Sequence, residues 1–99
     1  MGFELGMGQN IVITGYLTCA PEDLDLVLKI LPRHIALSRA EPGCLAFSIT
    51  QAPHDHCRFD INERFVDQAA FDAHTARTKK SDWWHKTRHI PRHLGVQTV

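Results

Sequence analysis

The chain has 99 residues, 43% hydrophobic and 22% charged, a composition that fits one small globular domain and excludes a fibrous or disordered one. Eleven basic residues balance eleven acidic ones, which removes the electrostatic case for a nucleic-acid or anionic-membrane partner. No apolar run approaches the roughly 20 residues that cross a bilayer.

Residues 1–9 carry three glycines without periodicity and read as a loose tail, leaving 10–99 as a single domain. This start lacks the charged and apolar regions of a signal peptide. Cys19, Cys44 and Cys57 form no CxxC spacing and cannot all pair within the chain. A reduced, cytoplasmic protein is expected. Asn10 to Thr18 is β-branched and apolar and predicts a strand, with Gly15 marking a bulge or a close approach. Ala20-Pro21-Glu22-Asp23 then opens a helix, with proline in the first turn and acids at the positive end of the dipole. Leu24, Val27, Leu28, Leu31 and Ile35 follow at helical spacing, and Leu26, Ile30 and Leu37 form a second apolar row. Pro32 predicts a bend or a break, and Glu41-Pro42-Gly43 ends the helix.

Cys44 to Ala52 alternates, placing Leu45, Phe47 and Ile49 on one face and Cys44, Ala46, Ser48 and Thr50 on the other. After a polar connection at 53–56, Arg58 to Val66 alternates again, with Phe59, Ile61, Glu63 and Phe65 sharing a face. The two strands predict an antiparallel hairpin. Asp67 suits the N-cap of a short helix, Gln68 to His74, whose inward face is Ala70, Phe71 and His74. A second helix is expected from near Ser81 to about His89, and Leu94 to Val99 closes the chain as a strand. This order, βαββαβ, is the ferredoxin-like α+β arrangement with an antiparallel sheet.

Two residues break the pattern. Glu63 lies between Ile61 and Phe65 on an apolar strand face, where a carboxylate must be paired, neutral or facing a cavity. His74 is its counterpart on the helix. A structural hydrogen bond and an acid–base pair in a small-molecule pocket are both compatible with this placement. Trp83 and Trp84 are adjacent and cannot point the same way, so one lines the interior. His54, Asp55, His56 and Cys57, and the His85/His89 pair, contain ligand-type side chains without a placed complement, so no metal site is assigned. Phosphate-loop, nucleophile-elbow and HExxH patterns do not occur.

The runs Ala40-Glu41-Pro42-Gly43-Cys44-Leu45-Ala46-Phe47 and Glu63-Arg64-Phe65-Val66-Asp67-Gln68-Ala69-Ala70-Phe71-Asp72-Ala73-His74 resemble the antibiotic biosynthesis monooxygenase family in order and spacing, over roughly Ile11 to Leu94. The resemblance implies a homodimeric ferredoxin-like α/β-barrel whose two sheets pack face to face, with Ala46, Ser48, Asn62 and Arg64 toward the partner. For some members it implies oxygenation of phenols, quinols or polycyclic compounds by molecular oxygen, with no metal, flavin or other cofactor. On that reading His74 is the base or hydrogen-bond partner and Glu63 orients it. Phe47, Phe65 and Trp83 form an aromatic wall, and Arg77 stabilises an anion. The expected function is a cofactor-independent monooxygenase of an aromatic quinol or polyketide-like molecule. The alternatives are a non-catalytic small-molecule-binding or stress-response protein and an isomerase on the same fold.

Overall fold

The computed structural model describes residues 9–99; the expected tail at 1–9 lies, except for Gln9, outside them. The elements run β1 (Ile11–Thr18), a single 3₁₀ turn at Pro21–Asp23, α1 (Leu24–Arg39), β2 (Cys44–Ala52), β3 (Asp55–Phe65), α2 (Gln68–Lys79), α3 (Asp82–Thr87) and β4 (Arg92–Thr98). The four strands form an antiparallel sheet in the order β2-β3-β1-β4, which is the ferredoxin-like α+β arrangement. The sheet is open within the chain, with β2 and β4 at its edges.

One face of the sheet builds the core. Ile11, Ile13 and Leu17 of β1, Phe47 and Ile49 of β2, and Phe59, Ile61 and Phe65 of β3 are buried there, and Val27 and Leu31 of α1 cover them. The odd-numbered positions of β3 point inward together because side chains alternate along a strand, so Glu63 is carried into the core side with Ile61 and Phe65. Gly15 has φ +155°, and any Cβ there would overlap the carbonyl oxygen of His93 on the paired strand β4. The close approach is the reason for this glycine.

Several elements differ from expectation, and β3 begins at Asp55, three residues before Arg58. α1 runs unbroken through Pro32, which sits on its exposed side, where water can satisfy the carbonyl left without a donor. A register shift between Cys44 and Ala46 leaves Leu45 as the extra residue of a bulge, 54% exposed. Cys44 therefore turns to the core side with Phe47 and Ile49, against simple alternation. α2 does not stop at His74 but continues to Lys79, with Arg77 and Lys79 in its last turn, where cations favour the helix dipole. α3 ends at Thr87 rather than His89, and β4 begins at Arg92, two residues before Leu94.

Candidate active site

His74 is the centre of the site. The Asp67 carboxylate accepts from the Ala70 amide at 2.8 Å and starts α2 three residues after β3 ends, so His74 comes to lie against the end of that strand. Its ring is buried beside Phe65, Phe47 and His34, at centroid distances of 4.8, 5.4 and 6.2 Å. The turn after α1 delivers a second acid. Gly43 there has φ +83°, and a Cβ would meet Ala70 and Val66 at 2.7 and 2.9 Å. That tight seat, with the Val66 amide donating to the Gly43 carbonyl at 2.8 Å, pins the turn against the start of α2.

Glu41 in this turn reaches His74, its Oε1 lying 2.7 Å from Nδ1. The Glu41 carboxylate also accepts from Arg77 Nε, and Arg77 Nη2 donates to Ser38 Oγ at 2.9 Å. A chain of contacts thus runs Ser38–Arg77–Glu41–His74. A carboxylate on Nδ1 selects the tautomer with its proton there, leaving Nε2 as the acceptor. On that side stand Glu63 Oε1 at 3.6 Å and Thr78 Oγ1 at 3.4 Å. The Glu63 separation exceeds a hydrogen bond, so the two groups stand side by side without a direct bond between them.

Burial and these neighbours set the protonation states. Glu63 is pushed up to about 7, first by burial and then by the Glu41 charge. Burial holds His74 below its ordinary value, opposed by the hydrogen bond and charge of Glu41. At neutral pH the two neighbouring groups are therefore a neutral imidazole and a carboxyl group that is about half protonated, and more so below it. Acid and base face the same space. Burial pushes the Cys19 thiol up to about 11 and raises Cys44 as well, so neither is a ready nucleophile. Among the described residues no three His, Cys, Asp or Glu side chains converge to hold a metal ion.

His74 and Glu63 open on a cavity of about 270 Å³ between the sheet and the helices. Ile13, Ile49 and Ile61 form its sheet side, and Phe71, Trp83 and Trp84 its aromatic wall. Arg92 and Leu94 close it at the β4 edge. The Arg92 guanidinium is held by three hydrogen bonds of 2.7–3.0 Å to Thr87 and Ile90 and lies over both tryptophan rings.

Residues 10–90 match the antibiotic biosynthesis monooxygenase family, most of the chain. The chain belongs to that family. Membership supports a monooxygenase-like function at the level of the family. Solved structures agree on the fold. A protein from Nitrosomonas europaea, provisionally assigned as an antibiotic biosynthesis monooxygenase, superposes with a TM-score of 0.78 at 20% identity over 93% of this chain and 91% of its own. A protein from Deinococcus radiodurans with the same provisional assignment gives 0.79 at 17% identity over 90% and 91%. One from Bacteroides thetaiotaomicron gives 0.77 at 24% identity over 92% and 88%. No protein of curated function matches the chain.

Within this family member the sequence-predicted residues fall into two groups. His74, Glu63 and Trp83 meet at the cavity, and Trp84 joins them although adjacent to Trp83. Phe47 and Phe65 pack on the His74 ring and stand behind it, off the cavity wall, which Phe71 and the tryptophans supply. Arg77 does not reach the cavity, because its guanidinium is tied to Glu41 and Ser38. The group touching His74 Nδ1 is Glu41, not Glu63. Sequence reading missed Glu41 because its partner is 33 residues away. It missed His34 and Ser38 because they are polar. Their spacing from Val27 and Leu31 does place them on the buried stripe of α1.

Proposed function

We propose that the protein is a cofactor-independent monooxygenase of a small aromatic quinol or related phenol. The observation that carries this reading is the His74–Glu41 pair with protonatable Glu63 beside it on an aromatic-walled cavity. Molecular oxygen accepts electrons one at a time, so the substrate must first be made electron-rich. His74 Nε2 takes the substrate's phenolic proton while Glu41 holds Nδ1–H and stabilises the resulting imidazolium, a contribution of about 10²–10⁴-fold. Protonated Glu63 donates to a substrate oxygen, and Arg92 and Lys79 are cations on the cavity wall that favour the anion. One oxygen atom then enters the ring, and the other leaves as water with two substrate hydrogens, so the substrate itself supplies the electrons. The cavity volume lies just below the usual 300–1,000 Å³ range of ligand pockets. It suits one or two fused rings better than a tetracyclic polyketide.

The isomerase reading draws on the same acid–base placement, since moving a proton between two carbons needs one group of each kind. Oxygen uptake against a panel of quinols and anthrone-like phenols separates the two. Uptake with stoichiometric product, reduced at least about 10²-fold in His74→Ala, supports the oxygenase. Conversion that proceeds equally well without oxygen supports the isomerase and overturns our reading. We further infer a homodimer packed through the outer sheet face. Ser48, Asn62, Thr14 and Gly95 form one row across that face, with side chains small enough for a second sheet to approach.

A further inference from the structure

A second cavity of about 640 Å³ lies between α1, the end of α2 and α3, on the far side of the His34–Trp83 wall from the first. Its charge is one-sided. The chain as a whole is neutral, yet Lys29, Arg33, Arg77, Lys80 and Lys86, five of its eleven cations, line this groove with Asp82 as the one acid. Asp82 is already engaged by Lys86 at 3.3 Å, and Arg77 by Glu41. Among the described residues Lys29, Arg33 and Lys80 make no ion pair. Like charges gathered around a concave surface focus the field and attract anions.

An independent observation comes from His34. Its ring is 4% exposed and stacks on Trp83 at 5.0 Å with 9° between planes, forming the wall shared by both cavities. Its Nδ1 is the one buried side-chain polar atom among the described residues without a hydrogen-bond partner. Buried polar groups are nearly always paired, and this orphan lies in the wall that the two cavities share.

We propose that this groove binds a small polyanion of the phosphate class, at a site separate from the His74 cavity, with His34 giving it an uncharged hydrogen bond. The three cations without an ion pair among the described residues exceed what one ligand carboxylate neutralises. Ammonium groups act as point charges that can approach a tetrahedral oxyanion from several sides. Ile30, Leu37 and the Trp83 face leave an apolar floor for an organic portion of the ligand. Burial keeps His34 near 3, well under its ordinary value, so its hydrogen bond stays neutral across the physiological range.

The test is calorimetric titration of the full chain with inorganic pyrophosphate, with amide shifts mapped by NMR. The expected result is one site per chain, weakened severalfold by raising salt from about 0.05 to 0.3 M, with shifts confined to 29–37 and 77–86. Lys29→Glu with Arg33→Glu should weaken binding at least tenfold, and Arg88→Glu, an exposed cation outside the groove, should not. His34→Phe keeps an aromatic ring beside Trp83 and should lower affinity severalfold. The shift map of the unmodified protein decides the matter even where a variant folds poorly. No saturable binding at millimolar pyrophosphate, shifts elsewhere, or equal loss in Arg88→Glu would overturn the site. Citrate binding as tightly as pyrophosphate would overturn the phosphate assignment.

Discussion

Glu63 places a buried carboxyl on the cavity at the expense of stability. Its carboxyl is raised to about 7 by burial beside Glu41, well above the ordinary range. The favourable contribution of its protonated form is complete below the unfolded value near 4.5 and is lost as pH rises through about 7, on the order of 3 kcal/mol in all. Glu63→Gln cannot ionise. It should melt close to the unmodified protein at pH 4 and clearly above it at pH 8. Equal melting temperatures at pH 8 would show that Glu63 is not held neutral by the fold. His34 works in the opposite direction. Its depressed value means stability that is present above about 6.5 and lost as pH falls toward 3. Alternation along the strand was enough to place Glu63 inward. Which carboxylate touches His74 was not legible, because Glu41 sits in a turn with no periodicity to read.

At the scale of elements, the cavity depends on β4 staying on the sheet. Leu94 and Val96 of that strand line it, and at Gly15 of β1 a side chain would collide with β4. Gly15→Ala forces a Cβ into the His93 carbonyl from a backbone conformation that side chains rarely adopt. The cost should be about 1–3 kcal/mol, read in urea unfolding, with the β4 amides losing hydrogen-exchange protection first. A change below about 0.5 kcal/mol would mean that the strands separate at little cost. The sequence signalled a close approach at Gly15 but not its partner, because strand order is a long-range property. Two other elements failed local rules for local reasons. The Leu45 bulge shifts alternation by one residue and leaves no mark in composition. Pro32 is tolerated because its missing hydrogen bond falls on the exposed side of α1.

For the molecule as a whole, size is the governing constraint. A domain of about 100 residues buries only about two-thirds of its unfolded surface, and Leu45, Leu94, Val96 and Val99 remain about half exposed. Face-to-face packing of two sheets would cover the outer face and bring these edges near a second chain. Thr14, exposed at the middle of the small-residue row, is the position to challenge. Sedimentation should find a dimer at micromolar concentration for the unmodified protein and a monomer for Thr14→Arg with its secondary structure retained. A monomeric unmodified protein would rule the assembly out.

Sequence alone determined whatever depends on neighbours within a few residues. The strands follow from alternation, α2 from its Asp67 cap, and the inward Glu63 from its place between Ile61 and Phe65. The order of elements then implied the fold. Tertiary structure decided what depends on residues far apart in the chain. It set Glu41 on His74, tied Arg77 away from the cavity, stacked His34 on Trp83 and gathered five cations around one groove. Those contacts span 33 to 49 positions in the examples of Glu41 with His74 and His34 with Trp83. Local periodicity carries no information at that range, because only the packing of helices on the sheet brings such residues together.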